Sequence, residues 1–117
     1  MSGRVLVVDD DTAIREFVAL ALQDEGYAVA TAADGREALE RCAAFAPDVV
    51  LLDLNMPVLN GWQTRARLRE TAPALPVVFM TAGQHAASEA ARHDAAGALP
   101  KPFDLDQLLA LVARFAA

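Results

Sequence analysis

The chain has 117 residues, the size of one compact domain, and 55% of them are hydrophobic, which is enough for a buried core. No apolar run approaches the roughly 20 residues of a membrane-spanning helix, and the N-terminus has no signal segment, so we expect a cytoplasmic protein without membrane insertion. The net charge of −6 argues against direct nucleic-acid binding. Cys42 is the only cysteine, which excludes an internal disulfide, and we expect it to be an ordinary buried thiol on a helix.

Five short apolar runs alternate along the chain with helical patterns. They lie at residues 5–8, 27–30, 49–52, 77–80 and 97–99, and the last of them is short and weak. Three are almost continuous in Val, Leu or Phe, which is typical of parallel strands that are covered on both faces. The alternation predicts an α/β fold over residues 1–117, with one doubly wound parallel sheet and helices on both faces.

Helical periodicity fills the gaps between the apolar runs. The first and last helices have core-facing apolar stripes at Ile14, Phe17, Val18, Ala21 and Leu22 and at Leu105, Leu108, Leu109, Val112 and Phe115. Asp34 and Asp104 are predicted N-caps, because a carboxylate or amide follows each of them three residues later. Asn60 and Gly61 open the third helix. A fourth helix, roughly residues 86–92, is alanine-rich, and we expect it to be the most mobile element.

Polar side chains follow four of the predicted strands. They are Asp9, Asp10 and Asp11 after the first strand, Asp53 after the third, Thr81 after the fourth and Lys101 after the fifth. Ligands of parallel α/β sheets bind beyond the carboxyl ends of the strands. Each residue alone has a simpler explanation, such as a helix N-cap for Asp11 or a solvated charge for Lys101. Their joint placement at one edge predicts a functional site.

The residue types at this edge suit phosphoryl transfer. Crowded carboxylates need a cation, and oxygen ligands without His or Cys favour Mg²⁺, held by Asp10, Asp53 and the main-chain carbonyl of Asn55. Asp53 is placed to act as the nucleophile and to form an acyl phosphate. Mg²⁺ and Lys101 would neutralise the phosphoryl oxygens, and Thr81 would donate a hydrogen bond to one of them.

Four segments of the chain resemble the motifs of bacterial two-component response-regulator receiver domains. They are VLVVDDD at 5–11, LDLNMPVLNG at 52–61, MTA at 80–82 and KPF at 101–103. The resemblance covers essentially the whole chain and implies a flavodoxin-like (βα)5 fold with strand order 2-1-3-4-5. It also implies that Asp9 and Asp10 organise Mg²⁺, that Asp53 is the phosphoacceptor, and that Thr81 and Lys101 are the switch hydroxyl and the lysine that contacts the phosphoryl group.

The same resemblance implies partners for the chain. We expect the phosphoryl donor to be a sensor histidine kinase or a histidine phosphotransfer protein, and phosphorylation to change the binding of an unidentified downstream protein. The chain would catalyse its own phosphorylation and dephosphorylation, as a signalling switch rather than a turnover enzyme. We expect a monomer or a weak homodimer. The last predicted helix ends at Phe115, with no output domain after it in this sequence, so the chain either acts alone by docking to partners or is the receiver part of a larger regulator.

Ala98 departs from the pattern of the family. Receiver domains commonly have an aromatic residue three positions before the lysine, and this side chain swings inward when the Thr moves. A methyl group cannot report such a rotation. We therefore predict that the phosphorylation chemistry is kept, while the conformational change around residues 84–98 is small or differently routed.

Three other functions fit parts of the sequence. Residues 9–11 can match the two acids of a haloacid-dehalogenase-type phosphatase, but Ala13 replaces the usual Thr or Val, and Asp53 and Lys101 would be left unexplained. A phosphorylation-independent interaction module would usually have lost the acceptor, the lysine or the acid pair, all of which this chain keeps, and only Ala98 favours that function. A flavin-binding protein of the same strand order would need hydroxyls and backbone amides after the first strand, where this chain is acidic.

Overall fold

The computed structural model describes residues 3–54, 61–81, 96–101 and 103–116, with the main chain alone at Trp62, Thr81 and Pro100. The strands are β1 (Arg4–Val8), β2 (Ala28–Ala32), β3 (Val49–Asp53), β4 (Val77–Thr81) and β5 (Gly97–Pro100). The helices are α1 (Thr12–Asp24), α2 (Gly35–Phe45), α3 (Gly61–Thr71) and the C-terminal helix (Leu105–Ala116). The helix predicted at 86–92 lies outside the described residues.

The five strands form one parallel sheet in the order β2-β1-β3-β4-β5, which confirms the predicted fold. β3 and β4 each extend one residue beyond the predicted apolar run, because main-chain pairing continues past the last apolar side chain. Asp53 pairs with Met80, and Thr81 pairs with Pro100. The polar residues predicted to follow these strands are therefore their last paired residues, which fixes the main-chain position of each.

Both faces of the sheet are covered, which explains the continuous apolar runs. In the central strand β3, Val49 and Leu51 pack in a cluster with α1 and the C-terminal helix, whereas Val50 and Leu52 pack in a second cluster with α2 and α3. All four side chains are fully buried. Successive residues of a strand point to opposite faces, so a strand with helices on both sides has no position for a polar side chain before its end.

Two residues of the predicted apolar stripes are exposed. Phe17 on α1 is 52% exposed and Leu105 on the C-terminal helix is 43% exposed, while Val18 and Leu22 are fully buried. Phe17 lies about 100° around the helix from Val18, so it falls at the edge of the buried stripe. Leu105 is the first residue of its helix. The predicted core assignment of these two residues is therefore wrong.

The predicted helix caps are confirmed. The carboxylate of Asp34 accepts a hydrogen bond of 2.8 Å from the N–H of Glu37. Asp104 and Gln107 bond reciprocally: the Gln107 N–H donates to the Asp104 carboxylate at 2.8 Å, and the Asp104 N–H donates to the Gln107 side chain at 3.0 Å. This exchange satisfies two N–H groups that a helix start leaves without partners.

A small polar cluster joins β1 to the end of α2 at the amino end of the sheet. The N–H of Arg4 donates to the Asp48 carboxylate at 2.8 Å, and Nε of Arg4 donates to the Phe45 carbonyl at 3.0 Å. The guanidinium lies 4.7 Å from the centroid of the Phe45 ring. We call Arg4, Phe45 and Asp48 the amino-end cluster. Its contacts fasten the last turn of α2 to the first residue of β1.

Cys42 is half-buried on α2, rather than buried as the sequence suggested. It lines an open groove between α2 and the end of α3, together with Leu39, Pro47 and Thr71. Burial raises the pKa of its thiol, which disfavours the reactive thiolate. None of the helices in the described ranges is both long enough and apolar enough to cross a membrane.

Candidate functional site

Asp9 is fully buried at the turn between β1 and α1. Its Oδ1 accepts a hydrogen bond of 2.9 Å from the N–H of Asp11, and its Oδ2 accepts one of 2.8 Å from Nζ of Lys101. Its own N–H donates to the carbonyl of Ala32 at 3.2 Å, and its carbonyl accepts from Nη1 of Arg15 at 2.7 Å. Every polar atom of Asp9 therefore has a partner, as a buried carboxylate requires.

Asp10 and Asp53 bring two further carboxylates to Asp9. One carboxylate oxygen from each of the three residues lies within 4.8 Å of the other two. Asp9 and Asp53 are buried and Asp10 is exposed, so the group is open to solvent on one side. In an octahedral Mg²⁺ site, ligand oxygens lie about 3 to 4 Å from one another. The donor type and the spacing of these three residues fit such an ion.

Lys101 reaches the carboxylates from the end of β5. Its Nζ lies 2.8 Å from Oδ2 of Asp9 and 3.5 Å from Oδ1 of Asp53. Burial by itself lowers the pKa of Lys101, but the hydrogen bond to Asp9 and the negative charges of Asp53 and Asp9 outweigh burial and raise this pKa. The ammonium therefore stays charged at neutral pH. Lys101 is also the only lysine of the chain.

Thr81 is the last residue of β4, where its main chain pairs with Pro100, the residue before Lys101. The position of its hydroxyl lies outside the described part of the structure, and so does the predicted metal ligand Asn55. The structure brings together four of the predicted site residues: Asp9, Asp10, Asp53 and Lys101.

Gly61 packs against the strand end that carries Asp53. Its N–H donates to the carbonyl of Leu54 at 3.0 Å. A Cβ at Gly61 would lie 2.6 Å from Cα of Leu54 and 2.7 Å from the carbonyl oxygen of Asp53, both of which are main-chain atoms. Only glycine lets α3 begin this close to β3.

Arg15 is a site residue that the sequence analysis missed. It is half-buried on α1, and its guanidinium holds the carbonyl of Asp9. Its spacing of six residues from Asp9 matches no pattern of catalytic or metal-binding residues. Asp11 has the simpler role considered for it, because its carboxylate caps α1 by accepting the N–H of Ile14 at 3.1 Å.

Ala98 lies in β5 beside Phe79 of β4 and is half-buried against the cluster that includes α2 and α3. Residues 84–95, which make up most of the segment predicted to change little on phosphorylation, lie outside the described residues. The predicted effect of Ala98 on the conformational change stays a prediction.

The family model of the response regulator receiver domain matches residues 5–113. The chain belongs to this family. Response regulator MprA of Mycolicibacterium vanbaalenii is 46% identical over 112 residues, which are 94% of this chain and 48% of that protein. MprA of Mycobacterium tuberculosis is 45% identical over the same share of this chain. The receiver domain thus spans about half the length of the curated relatives it matches.

Solved structures of other proteins share the fold of this receiver domain. The chemotaxis response regulator CheY4 of Vibrio cholerae is 37% identical with a TM-score of 0.89, covering 98% of this chain and 99% of that one. NtrX from Brucella abortus is 35% identical with a TM-score of 0.90, covering 97% of this chain and 27% of that one. The chain is therefore a receiver domain of two-component signalling with the flavodoxin-like fold.

Proposed function

We propose that this receiver domain accepts a phosphoryl group on Asp53 in a Mg²⁺-dependent reaction and thereby changes its binding to a downstream protein. One observation carries the proposal. The carboxylate of Asp53 stands at the end of β3, grouped with those of Asp9 and Asp10, and its Oδ1 is 3.5 Å from the Lys101 ammonium. A nucleophilic oxygen, a set of oxygen ligands and a fixed cation meet there, as phosphoryl transfer requires.

The metal ion would be held by Asp9, Asp10 and Asp53, with the main-chain carbonyl of Asn55 as a further proposed ligand. This assignment is supported by three carboxylates whose oxygens lie within 4.8 Å of one another. When bound, Mg²⁺ supplies positive charge against the oxygens of the transferred group. Asp9 is held by Lys101 and by the N–H of Asp11, so its carboxylate is oriented before a metal ion arrives.

In the transfer step, a lone pair of an Asp53 carboxylate oxygen forms the new P–O bond. The P–N bond to the histidine of the donor breaks, and its electron pair stays on the imidazole nitrogen, which then takes up a proton. Lys101 carries a full positive charge that would pair with a phosphoryl oxygen, and the Thr81 hydroxyl would donate a hydrogen bond to another. In hydrolysis, a water oxygen bonds to phosphorus, the P–O bond to Asp53 breaks, and phosphate and the free carboxylate result.

We further propose the biological setting of this reaction. The donor is a sensor histidine kinase or a histidine phosphotransfer protein, in keeping with relatives that are named response regulators. The domain, residues 1–117, is a cytoplasmic switch rather than a turnover enzyme, and works as a monomer or a weak homodimer. Its net charge of −6 supports signalling by protein contacts rather than by direct nucleic-acid binding.

Labelling with a small phosphoryl donor tests the acceptor. The protein is incubated with acetyl phosphate, with and without Mg²⁺, and its intact mass is measured. We expect one added phosphoryl group in the wild type that requires Mg²⁺, and none in Asp53→Asn. Asp24→Asn is the matched control, because Asp24 is an exposed carboxylate at the far end of α1. Labelling of Asp53→Asn at the wild-type level would rule out Asp53 as the acceptor.

A further inference from the structure

The contact between Arg15 and Asp9 joins α1 to the end of β1. The pairing of β1 with its two neighbours ends at Val8, which lies beside Ala32 of β2 and Leu52 of β3. The next residue, Asp9, is fully buried, and its carbonyl accepts the 2.7 Å hydrogen bond from Nη1 of Arg15. The guanidinium thus fixes the main chain at the point where the strand becomes the acidic turn.

We infer that Arg15 is a positioning residue of the metal site: by holding the Asp9 carbonyl, it aims the carboxylates of Asp9 and Asp10 at Asp53. The inference rests on the proposed function, because the ion to be bound is Mg²⁺. Asp10 is the exposed member of the carboxylate group, so its direction depends on the residues on either side of it.

Both neighbours of Asp10 are fixed. On one side, Asp9 is held through its N–H, its carbonyl and both carboxylate oxygens. On the other side, the N–H of Asp11 bonds to Asp9, and the carboxylate of Asp11 caps α1 through the N–H of Ile14. Arg15 supplies the bond on the Asp9 carbonyl, which directly precedes Asp10. Without it, the peptide plane between Asp9 and Asp10 can rotate, and the exposed carboxylate loses its fixed direction.

Two simpler roles for Arg15 predict other results. A guanidinium near three carboxylates repels a divalent cation, so a purely electrostatic role predicts tighter Mg²⁺ binding when its charge is removed. A purely structural role predicts a lower melting temperature and an unchanged affinity of the folded protein for Mg²⁺. Positioning predicts weaker binding although a repelling charge has been removed. The sign of the change therefore distinguishes the three.

Isothermal titration of the full chain with Mg²⁺, well below the melting temperature, measures this sign. We expect Arg15→Met to bind Mg²⁺ about tenfold more weakly than the wild type, at the lower end of the effect of removing groups that orient metal ligands. Arg36→Met is the matched control, because the Arg36 side chain is 78% exposed on α2, and its affinity should equal that of the wild type. The metal requirement for labelling by acetyl phosphate should shift by the same factor, while the rate at saturating Mg²⁺ is kept.

Equal or tighter Mg²⁺ binding by Arg15→Met would overturn the inference. If Arg15→Met does not fold, Arg15→Gln is measured instead, with the same expected direction and the same overturning result. A labelling rate that stays low at saturating Mg²⁺ would also overturn a role limited to the metal ligands. If the wild type itself does not bind Mg²⁺, the proposed function fails together with the inference, whereas a wild type that binds Mg²⁺ as tightly as Arg15→Met removes the inference alone.

Discussion

The two ends of the sheet use charged residues in different ways. In the amino-end cluster, Arg4 and Asp48 are exposed, and Arg4 bonds to one carboxylate and one main-chain carbonyl. At the carboxyl end, Asp9 and Asp53 are buried with the carboxylate of Asp10 beside them, and the ammonium of Lys101 pairs with the two buried ones. Water can replace the hydrogen-bond partners of Arg4 and Asp48 at little cost, but it has little access to the buried carboxylates of Asp9 and Asp53.

Because of this difference, the amino-end cluster is a structural contact, whereas the carboxyl end is a candidate binding site. Exposed groups that pair one to one contribute modestly to stability and do not call for a ligand. Three carboxylates that crowd together carry an unfavourable energy in the absence of a metal ion, and a bound cation removes it. Mg²⁺ should therefore alter the effect on stability of substitutions at the carboxyl end but not of those at the amino end. Three substitutions test this comparison.

The largest effect is expected for Gly61→Ala at the carboxyl end. The new methyl group would overlap main-chain atoms of Leu54 and Asp53, which cannot move aside as a flexible side chain would. We expect the free energy of unfolding to fall by about 2 to 3 kcal/mol, the upper part of the range for overpacked sites, and Mg²⁺ to bind more weakly. Urea denaturation and Mg²⁺ titration measure the two effects.

Gly97→Ala is the control for this substitution. A Cβ at Gly97 would meet Leu111 at 3.5 Å and Val78 at 3.9 Å, which are normal packing distances between side chains. We expect a change of less than about 1 kcal/mol at this site, as for tolerated apolar changes. Equal losses at Gly61 and Gly97 would contradict the close approach of α3 to β3.

Lys101→Met is expected to have the next largest effect. Without Mg²⁺, it leaves Asp9 and Asp53 without their ammonium partner, and we expect a loss of about 2 kcal/mol, as for a partly buried charged hydrogen bond. Mg²⁺ supplies the missing positive charge, so millimolar Mg²⁺ should stabilise the variant more than the wild type. Thermal denaturation with Mg²⁺ and with a chelator measures this. A loss that Mg²⁺ leaves unchanged would contradict a cation site at this end.

The pH dependence of this difference has a definite sign. The pKa of Lys101 is raised above its ordinary 10.5 in the folded protein, so its ion pairs stabilise fully below that pH and are lost as the pH rises through the folded pKa. The stability difference between the wild type and Lys101→Met should therefore shrink above about pH 10.5. The pKa of Tyr27 is also raised, by burial and then by Glu25, but Tyr27 is present in both proteins and cancels in the difference.

Asp48→Ala at the amino end should have the smallest effect. It removes the acceptor of one exposed N–H, that of Arg4, and water can take its place. We expect a loss of about 0.5 to 1 kcal/mol, equal with and without Mg²⁺. A loss that depends on Mg²⁺ would show that the two ends of the sheet are coupled. It would contradict the conclusion that only the carboxyl end responds to a cation. Chemical denaturation of the wild type and of Asp48→Ala, each with and without Mg²⁺, measures these losses.

The sequence predicted the parts of the site that follow from strand topology. Continuous apolar runs indicate strands covered on both faces, and the carboxyl ends of parallel strands share one edge, so Asp9, Asp53 and Lys101 had to come close. The contact of Arg15 could not be predicted in this way. It depends on the side-chain conformation of one arginine and on a main-chain carbonyl. Every residue has such a carbonyl, so the sequence does not indicate which one accepts the hydrogen bond.

The exposed positions show a similar limit. Periodicity gives the direction of the apolar stripe on α1 but not its width, which is set by how much of the helix the sheet and the C-terminal helix cover. Phe17 lies at the edge of that stripe and is exposed for this reason. The role of Gly61 was visible only as the opening residue of a helix, because the nearness of α3 to β3 is a property of packing and not of either segment.

Lys101, which pairs with Asp9 and Asp53, is the only lysine of the chain. A reagent specific for amines can therefore label this site selectively. Reductive methylation with ¹³C-labelled formaldehyde would place isotopic methyl groups on this side chain and on the terminal amine alone. The nuclear magnetic resonance signal of methylated Lys101 would then report changes around its ammonium group when cations or phosphoryl donors bind. No residue has to be substituted to introduce this label.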